Sequence, residues 1–334
     1  MTHQNQHQEV AQKLIAAYEG QEPLAAYLKK YFAANKKHGS RDRKSISAFC
    51  YGHFRETTTQ FPFENLISKQ IDIPVFVASH KIQPLLFIRI RPWQKENVIK
   101  KLQAANIAFN EIGENTLSFV NTTSLQNILE LNKEAVIQDL NSQALISLLK
   151  LVPTSLDKVI QVWDACAASG GKTILMFDCM DNIKMHVSDV RESILFNCEN
   201  RLQEAGIRPA SLQVIDLTQA FDIKEQFDFV FADVPCSGSG TWGRTPEQLK
   251  YFTEAQLNKY TKLQAQIVHN LLPTVKLNGH LLYVTCSVYE KENEQNVAAI
   301  VATGKFKVVT QQYFKGYEKQ ADTMFGALLE KVAE

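Results

Sequence analysis

From about residue 141 onward, short apolar runs alternate with amphipathic stretches, and this alternation constrains the fold more than any other feature. Runs at 159–163, 184–188, 211–215, 227–232 and 280–285 read as strands. The intervals 172–179, 191–205, 246–272 and 290–302 read as helices, and a last pair of segments follows at 305–309 and 323–330. Strands separated by helices predict an α/β domain, with a parallel sheet and right-handed crossovers. Such sheets bind ligands beyond the carboxyl ends of their strands. The residues just past those ends are therefore the ones to read for chemistry.

Four of the five strands run into an acid: Asp164, Asp189, Asp216 and Asp233. Any one alone reads as a helix cap; the set reads as a site. The first strand continues through Cys166, Ala167, Ala168, Ser169, Gly170, Gly171 and Lys172. Small residues and glycines there let a ligand approach the backbone at the start of the next helix. A phosphate-binding P-loop would need glycine where Cys166 stands, and the dinucleotide fingerprint is absent from this loop; the G-x-G-x-x-G at Gly238, Gly240 and Gly243 follows the fourth strand and runs into Arg244-Thr245-Pro246 rather than directly into a helix. What remains is a nucleoside-containing cofactor whose amino-acid part lies against this loop. Asp189 is placed to accept hydrogen bonds from ribose hydroxyls, and Asp216 from an adenine amino group.

The fourth strand leads into Asp233-Val234-Pro235-Cys236, a turn stiffened by proline with a thiol at its corner. The fifth ends in Cys286, followed by Glu290, Glu292, Asn293 and Glu294. A buried cysteine is usually inert packing, but two thiols at neighbouring strand ends, beside an acid and Lys172, suggest reactive thiolates. The six cysteines form no Cys-x-x-Cys pair, so neither a metal site nor a disulfide framework is expected, and free thiols predict a reducing, cytoplasmic setting. No apolar run is long enough to span a membrane.

Ahead of the sheet domain, residues 1–75 read as a helical N-terminal extension and 76–142 as a small α+β domain, leaving 143–334 for the sheet. In the α+β segment a strand at 85–91 precedes a helix from about 93 to 106, then short strands at 108–112 and 116–120. Arg89 and Arg91 read there as solvated charge or part of a basic face. Cys50 reads as a core residue. The net charge of +1 carries no argument for nucleic acid, so any basic surface must be local. Residues 36–44 hold five Lys or Arg against one Asp, which reads either as a solvated loop or as a contact to phosphate.

The segments CAASGGKT at 166–173, ADVPCSGSG at 232–240, TPE at 245–247 and YVTCSVYEKENE at 283–294 resemble the Sun/Fmu (RsmB/NOP/Sun) family of RNA cytosine-5 methyltransferases, especially its bacterial ribosomal RNA members. Gln138-Asp139, Ser142-Gln143 and the tail at 321–331 extend the likeness, and Ser169 stands where the family's first motif usually has proline. The resemblance implies a Rossmann-like class I methyltransferase domain using S-adenosylmethionine, with an RNA-binding extension before it. It implies Cys286 as the nucleophile that adds to cytosine, Cys236 as the thiol that helps release product, and Asp233 on the N3/N4 edge of the base. Lys172 would orient the base and favour thiolate; the 166–172 loop, Asp189, Asp216 and Asp233 would hold the cofactor. The expected partner is RNA, ribosomal or transfer, without metal or membrane, and the expected state is a monomer. The rival readings are an amino-group methyltransferase on the same fold, whose Asp/Asn-Pro-Pro-aromatic motif is missing here, and a non-catalytic RNA-binding protein.

Overall fold

A computed structural model describes residues 3–57, 60–154, 156–221, 223 and 225–334. Its strands, in chain order, are β1 Leu86–Ile90, β2 Asn110–Gly113, β3 Thr116–Phe119, β4 Ala135–Ile137, β5 Ile160–Asp164, β6 Ile183–Asp189, β7 Ser211–Val214, β8 Phe227–Asp233, β9 Val275–Thr285, β10 Phe306–Phe314 and β11 Met324–Lys331. The last seven form one sheet in the order β10-β11-β9-β8-β5-β6-β7. From β7 to β9 all neighbours are parallel, whereas β11 pairs antiparallel with both β9 and β10. The architecture is Rossmann-like, as the alternation predicts. The sheet order reverses between β5 and β8, which is where such sheets open a ligand crevice.

The central strands are legible because their middles are buried on both faces and so read as near-continuous apolar runs. Phe229, Val230, Phe231 and Ala232 of β8 are each at most 1% exposed, with Phe229 and Phe231 on one side and Val230 and Ala232 on the other. The expected single helix at 246–272 is in fact two, Gln248–Tyr251 and Glu254–Leu271. Thr253 causes the break: its hydroxyl accepts the Gln256 amide, and the Gln256 side chain accepts the Thr253 amide. This reciprocal capping box restarts the helix.

Residues 11–54 build a core of their own, in which Cys50 is fully buried, from the helices His3–Ala17, Leu24–Ala34 and Ser40–Thr57. This unit docks on the segment after β8. Glu247 accepts the Leu24 amide at 3.1 Å, Arg55 donates to the Gly243 carbonyl at 2.9 Å, and Tyr251 donates to the Tyr18 carbonyl at 2.8 Å. The four-stranded sheet β2-β3-β1-β4 has a separate core with the helix Lys95–Ala104. That helix starts two residues later than expected, because Trp93 lies at φ 68° and fully exposed, outside the helical region.

Arg89 and Arg91 are not solvated. Both guanidinium groups reach Asp178 at the end of the helix Gly171–Cys179, at 2.6 and 2.7 Å, with all three side chains at most 13% exposed. Alternation along β1 puts both arginines on one face, and that face meets the large domain. Breaking a buried pair from one side leaves uncompensated charge. Asp178→Ala should therefore lower stability by on the order of 3–5 kcal/mol, and Asp178→Asn by less, read by urea denaturation.

Candidate active site

The loop after β5 turns sharply, with Ala168 at φ 46° and Gly170 at φ 81°. A side chain at 170 would be strained at that φ, and its Cβ would sit 2.7 Å from the Cys198 sulfur. The loop is tied on both sides. The Ala167 amide donates to the Ser188 carbonyl, and the Ala168 amide donates to Asp189 Oδ2, both at 2.9 Å. Arg201 Nη1 donates to the Ser169 carbonyl and hydroxyl, each at 2.9 Å, so this serine holds a loop that lacks the usual proline. Behind the loop Asp164 is fully buried and accepts the Thr173 hydroxyl at 2.6 Å. Burial pushes its carboxyl up to about 7, and its Oδ1 has no partner among the described residues.

At the ends of β5 to β8 a cavity of about 450 Å3 opens, a size ordinary for a small-molecule site. Cys166, Ala168, Asp189, Asp216 and Asp233 meet there, and Ile215, Leu217, Leu263 and Ile267 supply apolar wall. Ala167, Ser169, Gly170, Gly171 and Lys172 lie outside its lining. Asp189 is 5% exposed and accepts four hydrogen bonds, one from Ala168 and three from the amide and guanidinium of Arg191. Burial pushes its carboxyl up, but the Arg191 and Ala168 donors outweigh burial and hold it below the ordinary value. Asp216 is exposed and caps a turn, accepting the Thr218 amide at 2.9 Å and hydroxyl at 2.7 Å, which lowers its carboxyl too. Arg191 carried no signal in the sequence. Only its position two residues after a strand-end acid could have pointed to it.

The two thiols meet beside this cavity. Parallel pairing of Asp233 with Val284 sets the ends of β8 and β9 level. The Cys286 amide then donates to the Cys236 sulfur at 3.3 Å, across fifty residues of sequence. The Gly240 amide donates to the Cys286 carbonyl at 2.8 Å, closing the turn after β8 over the end of β9. Lys172 Nζ lies 2.6 Å from Asp233 Oδ2. Burial opposes the ammonium charge, but Asp233 and the other nearby acidic groups raise the Lys172 pKa above its ordinary value, so it stays a cation. Lys172 draws the Cys286 thiol toward thiolate, against larger opposing influences. The Cys236 side chain, burial and Asp233 together keep the Cys286 thiol well above its usual range, and Lys172 offsets only part of that.

Comparison with known proteins gives a consistent picture. A sequence profile described as 16S rRNA methyltransferase RsmB/F matches residues 149–327, more than half of the chain. Ribosomal RNA small subunit methyltransferase B of Enterobacter sp. (strain 638) is 31% identical over 166 residues, covering 49% of this chain and 38% of that protein. The chain thus spans well under half the length of the curated relatives it matches. NSun6 from Pyrococcus horikoshii, crystallised with SFG, superposes with a TM-score of 0.69 at 14% identity, covering 84% of this chain and 98% of its own. A methyltransferase homolog protein from Pyrococcus horikoshii gives 0.63 at 19% identity, over 85% and 94%. These two likenesses bear on the fold. The matched span runs from just before β5 into β11 and takes in both thiols, and it makes this chain a member of the 16S rRNA methyltransferase RsmB/F family, which is S-adenosylmethionine-dependent.

Proposed function

We propose that this chain methylates carbon 5 of a cytosine in RNA, ribosomal RNA before transfer RNA, through a covalent cysteine–cytosine adduct. The observation that carries the reading is the meeting of two thiols from adjacent strand ends beside the Lys172–Asp233 pair and the cavity. An amino-group methyltransferase or a non-catalytic binding protein needs no such pair. The cavity suits the cofactor chemically, since carboxylates face a ligand that carries ribose hydroxyls and two cationic centres, and apolar wall faces its adenine. S-adenosylmethionine supplies an electrophilic methyl group. Asp189 and Asp216 would hold its ribose and adenine, and Cys166 and Ala168 of the 166–172 loop its amino-acid end.

Carbon 5 of cytosine is a weak nucleophile. Addition of the Cys286 thiolate at carbon 6 makes carbon 5 enamine-like and splits one hard step into two. Asp233, one oxygen of which is taken by Lys172, has the other to offer the N3/N4 edge. Cys236 then assists breakdown of the adduct. The target base must be single-stranded or flipped out of its helix to reach the thiols.

The RNA half of the reading rests on a cleft of about 1160 Å3 between the helical unit, the small sheet and Gln320. Lys29, Arg43, Lys44 and Arg55 line it, beside Phe32 and Tyr51, and among the described residues no Asp or Glu does. Gln320 lies three residues before Thr323, whose amide donates to the Gly240 carbonyl, and the Gly240 amide donates to the Cys286 carbonyl. Lys36, Lys37 and Arg41 do not line it. All six cysteines are free thiols, which suits the reducing medium of the cytoplasm.

Three outcomes follow. Cys236→Ala should accumulate a protein–RNA adduct stable to denaturing electrophoresis, and Cys286→Ala should form none and transfer no methyl; the converse pattern reverses the two roles. Alkylation of Cys286 by iodoacetamide, followed by peptide mass spectrometry, should rise with pH above the ordinary thiol range of roughly 8.5. Lys172→Met should move that profile further up, because it removes the cation that lowers the thiol. Replacing Lys29, Arg43 and Lys44 by Gln should weaken RNA binding and flatten its salt dependence by roughly 0.7 per lost phosphate contact, with S-adenosylhomocysteine binding unchanged. The same change at Lys36, Lys37 and Arg41 should do less.

A further inference from the structure

Among the three acids that follow Cys286, Glu292 differs from its neighbours: it is completely buried. Four donors converge on its carboxylate. The Ser237 amide at 2.8 Å and the Gln264 side-chain amide at 2.9 Å reach Oε1, and the hydroxyls of Ser237 and Ser287, each at 2.5 Å, reach Oε2. Ser237 is the residue after Cys236, and Ser287 is the residue after Cys286. The residue following each thiol is therefore tied to one and the same carboxylate.

The residues preceding the thiols are tied to the same cluster. Gln264 donates also to the Pro235 carbonyl at 2.9 Å, immediately before Cys236. Asn293, next to Glu292, accepts the Thr285 hydroxyl at 2.5 Å and donates to the Ser287 carbonyl at 2.8 Å, on either side of Cys286. The backbone of Glu292 is itself held, since its carbonyl accepts the Tyr283 hydroxyl at 2.5 Å. Glu294, by contrast, turns away to Ser68 and Tyr313.

We propose that Glu292 is a positioning residue that fixes the spacing of the two thiols by anchoring both cysteine turns to one buried carboxylate. It touches neither base nor cofactor in this scheme, and it acts through Ser237 and Ser287. Burying a carboxylate is costly unless its hydrogen bonds are satisfied. Here all four donors come from the helix Glu254–Leu271 and the two turns that must be held. A loop end without such an anchor would drift, and a misplacement of about 1 Å in a reacting group costs on the order of a hundredfold in rate. The roles of the thiols in catalysis rest on the reaction proposed above; the anchoring does not.

The test separates the two. A short bifunctional thiol reagent, dibromobimane, should bridge Cys236 and Cys286 in the wild-type chain, with the bridged peptide identified by mass spectrometry and Cys236→Ala and Cys286→Ala as blanks. In Glu292→Ala the bridging should be lost while S-adenosylhomocysteine binding and the circular dichroism spectrum remain. Glu292→Gln should bridge slowly, because an amide cannot accept all four donors, and Glu292→Asp should recover part of the rate. Single-turnover methyl transfer should fall by about a hundredfold in Glu292→Ala, with the KM for cofactor unchanged. If Glu292→Ala does not fold, Ser237→Ala and Ser287→Ala test the same anchor one turn at a time, and each should slow bridging. Wild-type bridging in folded variants of all three positions overturns the proposal. Loss of bridging in the variants, with no methyl transfer by the wild type, upholds the anchor and removes only the reaction.

Discussion

Everything chemical in this chain depends on the parallel pairing of β8 with β9. The register that sets Phe231 against Leu282 and Asp233 against Val284 ends both strands at the same level. Two turns fifty residues apart in sequence then lie side by side, each carrying a cysteine. The pairing is secured by residues such as Val230, Phe231, Leu281 and Leu282, all at most 1% exposed. A slip of one residue would turn every one of these to the wrong face, so the hydrophobic pattern that builds the core also sets the thiol spacing. The polar cluster on Glu292 refines what the strand register sets coarsely.

Polar seams join the three cores. Glu247, fully buried, meets the helical unit through Leu24, and Arg244 bridges Asp139 at 2.7 Å and Asp322 at 2.8 Å between the small sheet, the turn after β8 and the start of β11. Buried ion pairs return little net stability once desolvation is counted. Their geometry, however, admits one docking arrangement and penalises others. The segment 242–252 receives the helical unit and follows directly from the turn that carries Cys236, so docking of that unit and placement of the thiol turn share the same backbone.

How far the sequence could be read followed from how local each cause was. The central strands β5 and β8 are buried on both faces and short, so composition alone marks them, and the acids at their ends are visible at once. The break before Thr253 was also written locally, as a Thr three residues before a Gln; the proline at 246 suggested an earlier start and drew attention from it. Arg89 and Arg91 could not be read, since their partner Asp178 lies nearly ninety residues away and nothing in an alternating Arg-Ile-Arg marks a buried face. Glu292 stood in plain view between Glu290 and Glu294, but only the fold distinguishes the acid that points inward. The sequence shows Lys172 near the thiols, yet the balance among Cys236, burial and Asp233 that raises the Cys286 thiol is a property of packing.

The carboxylates around the cavity carry one further constraint. Each already has protein donors: Asp189 has Ala168 and Arg191, Asp216 has Thr218, and Asp233 has Lys172. A ligand that bonds to them exchanges one hydrogen bond for another, and such exchanges return little net free energy. Arg191 is the contact most easily exchanged, because its side chain is 57% exposed and can stay solvated after leaving Asp189. Lys172 and Asp233, each about one-fifth exposed, form the pair that would cost most to separate. Affinity in this cavity must therefore come mainly from the apolar wall of Ile215, Leu217, Leu263 and Ile267, while the acids set orientation. This division suits a site that exchanges its ligand readily, because the groups that orient the ligand are satisfied again by the protein as it leaves.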